Sequence, residues 1–188
     1  MATLRVLGID PGSVVTGAAV LEFSRGQPRC LHLQSIRLGR EQSFPQRLGA
    51  IFEAVTALIE EYAPSEFAIE QVFMYRSPES SLKLGQARGV AIAAAVVRNL
   101  PVAEYMPAVI KQAVVGTGRA DKTQVQHMVR QLMNLSEAPP PDGADAAAVA
   151  LCHCYRRTSL AGAALDGQAA GSEAVRLLAQ SRYRRRSR

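Results

Sequence analysis

Four acidic residues stand where side chains from distant parts of a chain can meet. Asp10 and Glu70 each directly follow a short apolar run, L-R-V-L-G-I and F-A-I, of the kind that forms a buried strand. Asp142 and Asp145 are three residues apart at the start of a predicted helix, so both lie on nearly one face. Because α/β proteins place ligands at the carboxyl ends of strands, these acids could converge at one sheet edge.

Carboxylates that converge repel one another unless cations neutralise them. Hard oxygen ligands suit Mg²⁺ or Mn²⁺, and two such ions about 4 Å apart can activate water and stabilise the leaving oxygen of a phosphodiester. Each acid also has a plain structural explanation: the first two can be turn residues, and the last two a helix N-cap and a first-turn acid. The pattern indicates a two-metal site but does not by itself establish convergence.

The elements that would position these acids follow the order β-β-β-α-β-α-β-α-α-α. Predicted strands cover residues 4–9, 14–23, 29–37, 67–69 and 100–105. Predicted helices cover residues 43–62, 80–99, 107–115, 121–135 and 142–155. Three strands linked by short turns, followed by helical crossovers, predict an α/β fold with a five-stranded mixed sheet flanked by helices.

Charge divides the chain into two parts. Of its 188 residues, 1–155 contain 14 Lys/Arg and 14 Asp/Glu, so the whole net charge of +6 lies in residues 156–188. We expect one folded domain over residues 1–157 and a basic, disordered tail over residues 158–188. Such a tail can bind nucleic acid or another polyanion, or it can serve only as a solubilising segment.

Composition also narrows the cellular location. The longest uncharged apolar stretch, Gly89 to Val97, is too short to cross a bilayer, and the N-terminus lacks the pattern of a signal peptide. Three cysteines argue against a secreted disulfide scaffold. We therefore expect a cytoplasmic protein with no membrane partner.

Several segments, in order along the chain, resemble the RuvC-type Holliday junction resolvases. They are L-G-I-D-P-G-S (7–13), F-A-I-E-Q-V-F (67–73), L-K-L-G-Q-A-R-G-V-A (82–91), K-Q-A-V-V-G (111–116), K-T-Q-V-Q-H-M-V (122–129) and D-G-A-D-A (142–146). The first segment alone recurs in many related folds, whereas the two central blocks and the later lysine segments are specific. The resemblance covers residues 4–157.

The resemblance implies an RNase H-like fold, a homodimer and a Mg²⁺-dependent endodeoxyribonuclease. Members of that family resolve four-way (Holliday) DNA junctions in recombination and repair by paired symmetric nicks that leave 5′-phosphate and 3′-hydroxyl ends. It implies two Mg²⁺ ions per active site, replaceable by Mn²⁺, and RuvA and RuvB, the branch-migration complex, as partners. The family's acidic cluster falls on Asp10, Glu70, Asp142 and Asp145.

Lys111 and Lys122 match basic residues that the family uses near DNA. Their charges could hold a phosphate or offset charge that develops in the transition state. Without the resemblance, two solvated lysines would be the favoured explanation. Lys83 and Arg119 are further candidates for contacts with the DNA backbone.

The loop after Glu70 carries exposed aromatic candidates. Phe73, Met74 and Tyr75 could stack on bases or wedge a distorted junction, and Arg76 could contact a phosphate. Phe73 matches the family's aromatic position for this role. The alternative is that its ring folds back onto the core.

Small residues form a row on the second predicted helix. Gly85, Gly89 and Ala93 are four residues apart, a spacing that allows a second helix to approach closely. The row could form a two-fold dimer contact, or it could pack against the protein's own sheet.

Two other function classes fit these residues less well. Asp10-Pro11-Gly12 resembles the strand-turn opening of actin-type and sugar-kinase phosphotransferases, but these 188 residues hold one copy where those enzymes need two. A junction-binding protein without catalysis would use the lysines and aromatics but would have no need of four acids at the family's positions.

Overall fold

A computed structural model describes residues 3–39, 41–72 and 77–159 of the chain. The chain separates into two units, Met1–Cys154 and Tyr155–Arg188. Of the second unit the structure describes residues 155–159, which are helical. The tail predicted for residues 158–188 lies almost wholly outside the described residues and stays a prediction.

The first unit is built on the five-stranded mixed sheet predicted from the sequence. Its strands lie in the order β3-β2-β1-β4-β5. The three N-terminal strands β1, β2 and β3 pair antiparallel with one another, whereas β1, β4 and β5 run parallel. Their bounds are β1 Leu4–Asp10, β2 Val15–Ser24, β3 Gln27–Arg37, β4 Glu66–Glu70 and β5 Val102–Tyr105.

Five helices accompany the sheet in the described part of the chain. Their bounds are α1 Phe44–Tyr62, α2 Pro78–Val96, α3 Pro107–Val115, α4 Lys122–Leu132 and α5, residues 141–159. Proline at the start of α1, α2 and α3 fits the first helical turn, where a missing N–H costs nothing. Asp121 caps α4 by accepting a hydrogen bond from the Gln124 amide.

The predicted bounds differ from the observed ones mainly at helix ends. Helix α2 ends at Val96 rather than residue 99, and α4 ends at Leu132 rather than residue 135. Asn99 and Asn134, just beyond these ends, adopt positive φ angles of 58° and 49° that a continuing helix does not allow. Strand β4 is longer than predicted and includes the glutamates at both of its ends.

The two faces of the sheet are covered by different helices. Leu7, Ile9, Phe67 and Ile69 are fully buried in one apolar core with residues of α1 and α2. Since side chains alternate across a strand, the residues between them, such as Gly8, face the opposite side. That side is covered by α5, which begins beside β2 and runs over β1.

Two glycines allow α5 to approach the sheet closely. A Cβ atom at Gly8 would lie 2.5 Å from the Ala146 carbonyl oxygen, and one at Gly17 would lie 1.9 Å from the Asp142 carbonyl oxygen. Both distances are well below van der Waals contact, so the two glycines are required for this packing. They set the height of the α5 N-terminus above the ends of β1 and β2.

No helix in the described part of the chain is long and apolar enough to span a membrane.

Candidate active site

The sheet register brings Asp10 and Glu70 together. Ile9 of β1 pairs with Ile69 of β4, so the next residues of the two parallel strands are neighbours. Both acids have the parity of Gly8 and Ala68, so their side chains point to the α5 side of the sheet. A tight turn follows Asp10, in which the buried Thr16 hydroxyl donates to the Gly12 carbonyl at 2.9 Å. The convergence that the sequence left open thus follows from register.

Helices α3, α4 and α5 complete a cavity of about 220 Å³ above this pair of acids. Asp145 comes from the first turn of α5, Lys122 from the first turn of α4 and Lys111 from α3. These five charged side chains define what we call the acidic cavity. Its remaining lining is apolar: Pro107, Ile110, Val125, Ala148 and Val149, with Ala148 and Val149 on α5.

The two strand-end acids stand in unfavourable surroundings for negative charge. Burial, followed by the nearby charge of Glu70, raises the pKa of Asp10 to about 9. Burial also raises the pKa of Glu70; a hydrogen bond with Asp10 opposes this effect, Asp145 adds to it, and the charges of Lys122 and Lys111 oppose it. Burial and the closeness of the acids to one another therefore disfavour the charged form of both groups.

Lys122 and Asp145 form an ion pair, with Nζ 3.1 Å from Oδ2. The contact with Asp145 raises the pKa of Lys122, and the charges of Asp10 and Asp142 act in the same direction. The lysine side chain is 80% exposed, so it reaches the cavity from solvent and can turn toward another anion.

Asp142 stands beside the acidic cavity and does not line it. Its Oδ2 accepts a hydrogen bond from the Ser35 hydroxyl at 3.3 Å. It is close enough for its charge to act on Lys122. Three of the four predicted acids thus share the cavity, and the fourth lies at its side, tied to β3.

The other predicted DNA-contact residues are placed less centrally. Lys83, on α2, pairs with Glu79 at 2.6 Å, and Arg119 is exposed on the loop between α3 and α4. Neither lines the cavity. The predicted contacts Phe73, Met74, Tyr75 and Arg76 lie outside the described residues.

Sequence reasoning missed a buried polar network that joins α5 to the start of β4 and to β5. The His153 ring of α5 lies with Nε2 2.7 Å from a Glu66 carboxylate oxygen and with Nδ1 2.8 Å from the Tyr105 hydroxyl. His153 is 4% exposed. The network ties α5 to β4 and β5. The alternation of Glu66 with Glu70 along β4 was the one sequence signal that both acids share a face.

The donor set of the acidic cavity fits a hard divalent cation. It consists of carboxylate oxygens that lack neutralising charge, which is the environment Mg²⁺ or Mn²⁺ prefers. Among the described residues, no group of three His, Cys, Asp or Glu side chains is arranged closely enough to hold a metal as it stands. The Lys122–Asp145 ion pair occupies one of the acids that a cation would use.

Comparison with known proteins bears on what such a cavity does. The sequence model of the family "Crossover junction endodeoxyribonuclease RuvC" matches residues 6–153. The chain belongs to the RuvC family. Its RuvC relative from Saccharophagus degradans is 54% identical over 157 residues, which cover 82% of this chain and 90% of the relative. A RuvC from Halorhodospira halophila is 50% identical over 163 residues, covering 87% of this chain and 97% of that one.

A solved RuvC structure supports the fold assignment. The structure of T. thermophilus RuvC in complex with Holliday junction substrate is 36% identical, with a TM-score of 0.77, and the match covers 83% of this chain and 96% of that one. The RNase H-like fold expected from the sequence resemblance is thereby confirmed.

Proposed function

We propose that this RuvC-family chain is a structure-selective endodeoxyribonuclease that resolves four-way DNA junctions by paired symmetric nicks. The observation that carries the proposal is the acidic cavity, in which Asp10, Glu70 and Asp145 meet Lys111 and Lys122. Family membership supports the substrate: the relatives are named crossover junction endodeoxyribonucleases, and the T. thermophilus protein was solved with a Holliday junction.

Asp10, Glu70 and Asp145 would hold divalent cations, Mg²⁺ or Mn²⁺, with Asp142 joining them from the side of the cavity. Bound there, two such ions would supply a water activated for attack and stabilise the leaving 3′ oxygen, giving 5′-phosphate and 3′-hydroxyl ends. The strands supply rigid positions for two of the acids, and α5 supplies the others. The apolar wall of α3 and α5 excludes bulk water from one side of the cavity.

The two lysines would act on the DNA phosphate. Lys122 would leave Asp145 once a cation neutralises that carboxylate, and its exposed ammonium would then pair with the phosphate being cut or its neighbour. Lys111 would face the same phosphate from α3. Charge held at this point stabilises the negative charge that builds up in the transition state. Lys83, Arg119 and the loop residues 73–76 would contact the junction outside the cavity.

We propose that the protein acts as a homodimer through α2. The exposed side of α2 presents small and apolar residues: Leu82, Gly85, Gly89, Ala93, Val96 and Val97. A Cβ atom at Gly85 or Gly89 would meet nothing within 4 Å, so contact with the protein's own sheet does not require these glycines. Two sites related by a two-fold axis would match two symmetric cuts.

The dimer surface can be tested with two matched glycine substitutions. Gly89→Glu places a charge on the exposed face of α2, whereas Gly49→Glu places one on α1, where an added Cβ also meets open space. Sedimentation should give a dimer for the wild type and Gly49→Glu, and a monomer for Gly89→Glu. A dimer that persists in Gly89→Glu would contradict the proposed surface.

Two wider expectations accompany the proposal. We propose that the enzyme works with the RuvA and RuvB branch-migration complex in the cytoplasm, as its family resemblance implies. The basic segment 158–188 holds six of the eight Lys/Arg of residues 156–188 and adds positive charge suited to a nucleic-acid partner.

The activity is tested with a labelled synthetic four-way junction that has a mobile core. The purified protein is incubated with Mg²⁺, with an EDTA control and a linear duplex of the same sequence beside it. We expect paired symmetric nicks in the junction only, abolished by EDTA. A junction that is bound but remains uncut over several core sequences would favour a binding-only protein and contradict the proposal.

A further inference from the structure

Arg88 of α2 contacts the main chain of Glu70 from behind the sheet. Its Nε donates to the Glu70 carbonyl oxygen at 3.1 Å, and its guanidinium also forms an ion pair with Glu104 of β5. The Arg88 side chain is 19% exposed. It reaches β4 from the α1 and α2 side, whereas the Glu70 side chain points to the opposite side and into the acidic cavity.

The Glu70 carbonyl needs this donor because the β1–β4 ladder ends at a proline. Phe67 and Gln71 donate their amides to Pro101 and Tyr105 on the β5 side, so the main-chain groups of Ala68 and Glu70, which alternate with them, face β1. One step beyond the Ile9–Ile69 pair, the donor to the Glu70 carbonyl would be the amide of residue 11. Residue 11 is proline, which has no N–H. Arg88 supplies the missing hydrogen bond.

We infer that Arg88 is a positioning residue that fixes the end of β4, and with it the Glu70 carboxylate, for binding the divalent cation. The Gln71 amide holds the β5 side of this strand end by donating to the Tyr105 carbonyl at 2.8 Å. Arg88 holds the β1 side. Without it, the main-chain carbonyl of Glu70, the last residue of β4, would have no donor on the β1 side.

The inference rests on the proposed function for its activity readout, and it has a second readout that needs no DNA. Binding of a cation to the folded protein raises its melting temperature by mass action. The Mg²⁺ or Mn²⁺ concentration that gives half of the full shift therefore reports how well Glu70 and its neighbours are arranged as ligands.

Arg88→Met keeps most of the side-chain length and removes every donor. Partners that orient metal ligands are worth about 10-fold to 100-fold in metal affinity or activity, so the half-saturating Mg²⁺ concentration should rise about tenfold. On the junction, kcat should fall by a similar factor while KM for DNA stays within about threefold, because Arg88 acts through Glu70 rather than on DNA.

Two control variants separate positioning from general stability. Glu104→Gln removes the ion pair and leaves the hydrogen bond to the Glu70 carbonyl. Arg98→Met removes another arginine near the end of α2, which pairs with Glu60 at 2.8 Å. Exposed ion pairs contribute about 0–1 kcal/mol, so both controls should keep the half-saturating Mg²⁺ concentration within about threefold of the wild type.

Each result decides between the two roles. A lower melting temperature for Arg88→Met with an unchanged Mg²⁺ midpoint would make Arg88 merely structural and overturn the inference. If Arg88→Met does not fold, Arg88→Lys is measured instead, because one ammonium group cannot replace the planar fork at two acceptors; an unchanged midpoint there would overturn the inference equally. A wild type that binds Mg²⁺ but leaves junctions uncut would contradict the proposed function alone, since the melting comparison would still stand.

Discussion

The two ends of β4 carry the same residue type in different chemical settings. Glu66 begins the strand and Glu70 ends it, and both side chains face α5. Glu66 lies 2.7 Å from the His153 ring nitrogen, in a network that also includes Tyr105. Glu70 faces Asp10 and Asp145, and burial raises its pKa. One glutamate has a histidine ring nitrogen as its hydrogen-bond partner, whereas the other lies among further acids.

This difference separates a structural carboxylate from a chemical one. A buried acid whose oxygens meet a hydrogen-bond donor stabilises the fold, and nothing more is needed to explain it. Three acids that share a cavity cost folding free energy unless a cation is bound, so their grouping indicates a function rather than a contribution to stability. Both settings depend on α5, which supplies His153 to one end and Asp145 to the other.

The largest expected effect comes from Glu70→Gln, which changes the end of β4 that lines the acidic cavity. Loss of one carboxylate from the acidic cavity should lower the cleavage rate by about 10³-fold, since charge stabilisation in the transition state is lost. Without metal, the variant should melt at the wild-type temperature or above it, because one repelling charge is gone. Junction cleavage and thermal melting are measured on the same preparation. Cleavage within tenfold of the wild-type rate would remove Glu70 from the proposed site.

Gly17→Ala should disturb the surroundings of both Glu66 and Glu70, because it displaces α5, which contacts both ends of β4. The new Cβ would meet the Asp142 carbonyl oxygen at 1.9 Å, so the N-terminus of α5 must shift. Overpacking of this kind costs about 1–3 kcal/mol of unfolding free energy, and the displaced Asp145 should reduce cleavage further. Gly49→Ala is the control: its Cβ meets open space in α1 and should raise stability by about 0.5–1 kcal/mol. Urea unfolding that gives equal stability for both variants would contradict the close packing of α5.

Glu66→Gln should affect stability and spare activity. An amide keeps the size of the side chain but pairs less well with the His153 ring, so unfolding free energy should fall by about 1–3 kcal/mol. Below its melting temperature the variant should cut junctions within about threefold of the wild-type rate. Urea unfolding and cleavage at 25 °C test the two halves. A loss of cleavage as large as that of Glu70→Gln would erase the distinction between the two ends.

The last comparison concerns the response of the melting temperature to Mg²⁺. A cation at 100 times its dissociation constant stabilises the folded protein by about 2.7 kcal/mol. The wild type and Glu66→Gln should both show the upward shift, whereas Glu70→Gln should lose most of it. Calorimetry with Mg²⁺ and with added EDTA provides the comparison. Equal shifts in all three proteins would place the cation elsewhere.

Much of the fold and part of the site follow from the sequence. Short apolar strands, each ending in an acid, correctly predicted the positions of Asp10 and Glu70 at the sheet edge. The helices were found because their apolar spacing and their capping residues agree. The C-terminal ends of α2 and α4 were placed too far along, because the asparagines just beyond them, Asn99 and Asn134, act through local main-chain geometry rather than through periodicity.

The contacts that depend on the pairing register of the strands could not be predicted from the sequence. The pairing of Ile9 with Ile69 determines that Asp10 and Glu70 are neighbours, and periodicity within one segment carries no such information. The same holds for Arg88. Its proposed role depends on Pro11, which directly follows β1 and lies 77 positions earlier in the chain. The network around His153 joins α5, β4 and β5, and no local pattern in the sequence predicts it.

The most direct test of the account is to compare junction binding with junction cleavage in Asp10→Asn. Asp10 lies in the acidic cavity beside Glu70, so its replacement should remove metal-dependent cleavage while the lysines and the rest of the surface still bind DNA. Binding is measured by the mobility of a labelled four-way junction in Ca²⁺, and cleavage by the same junction in Mg²⁺. We predict wild-type binding and no detectable nicks. A variant that binds and also cuts at close to the wild-type rate would contradict the central claim that the carboxylates at the sheet edge perform the chemistry.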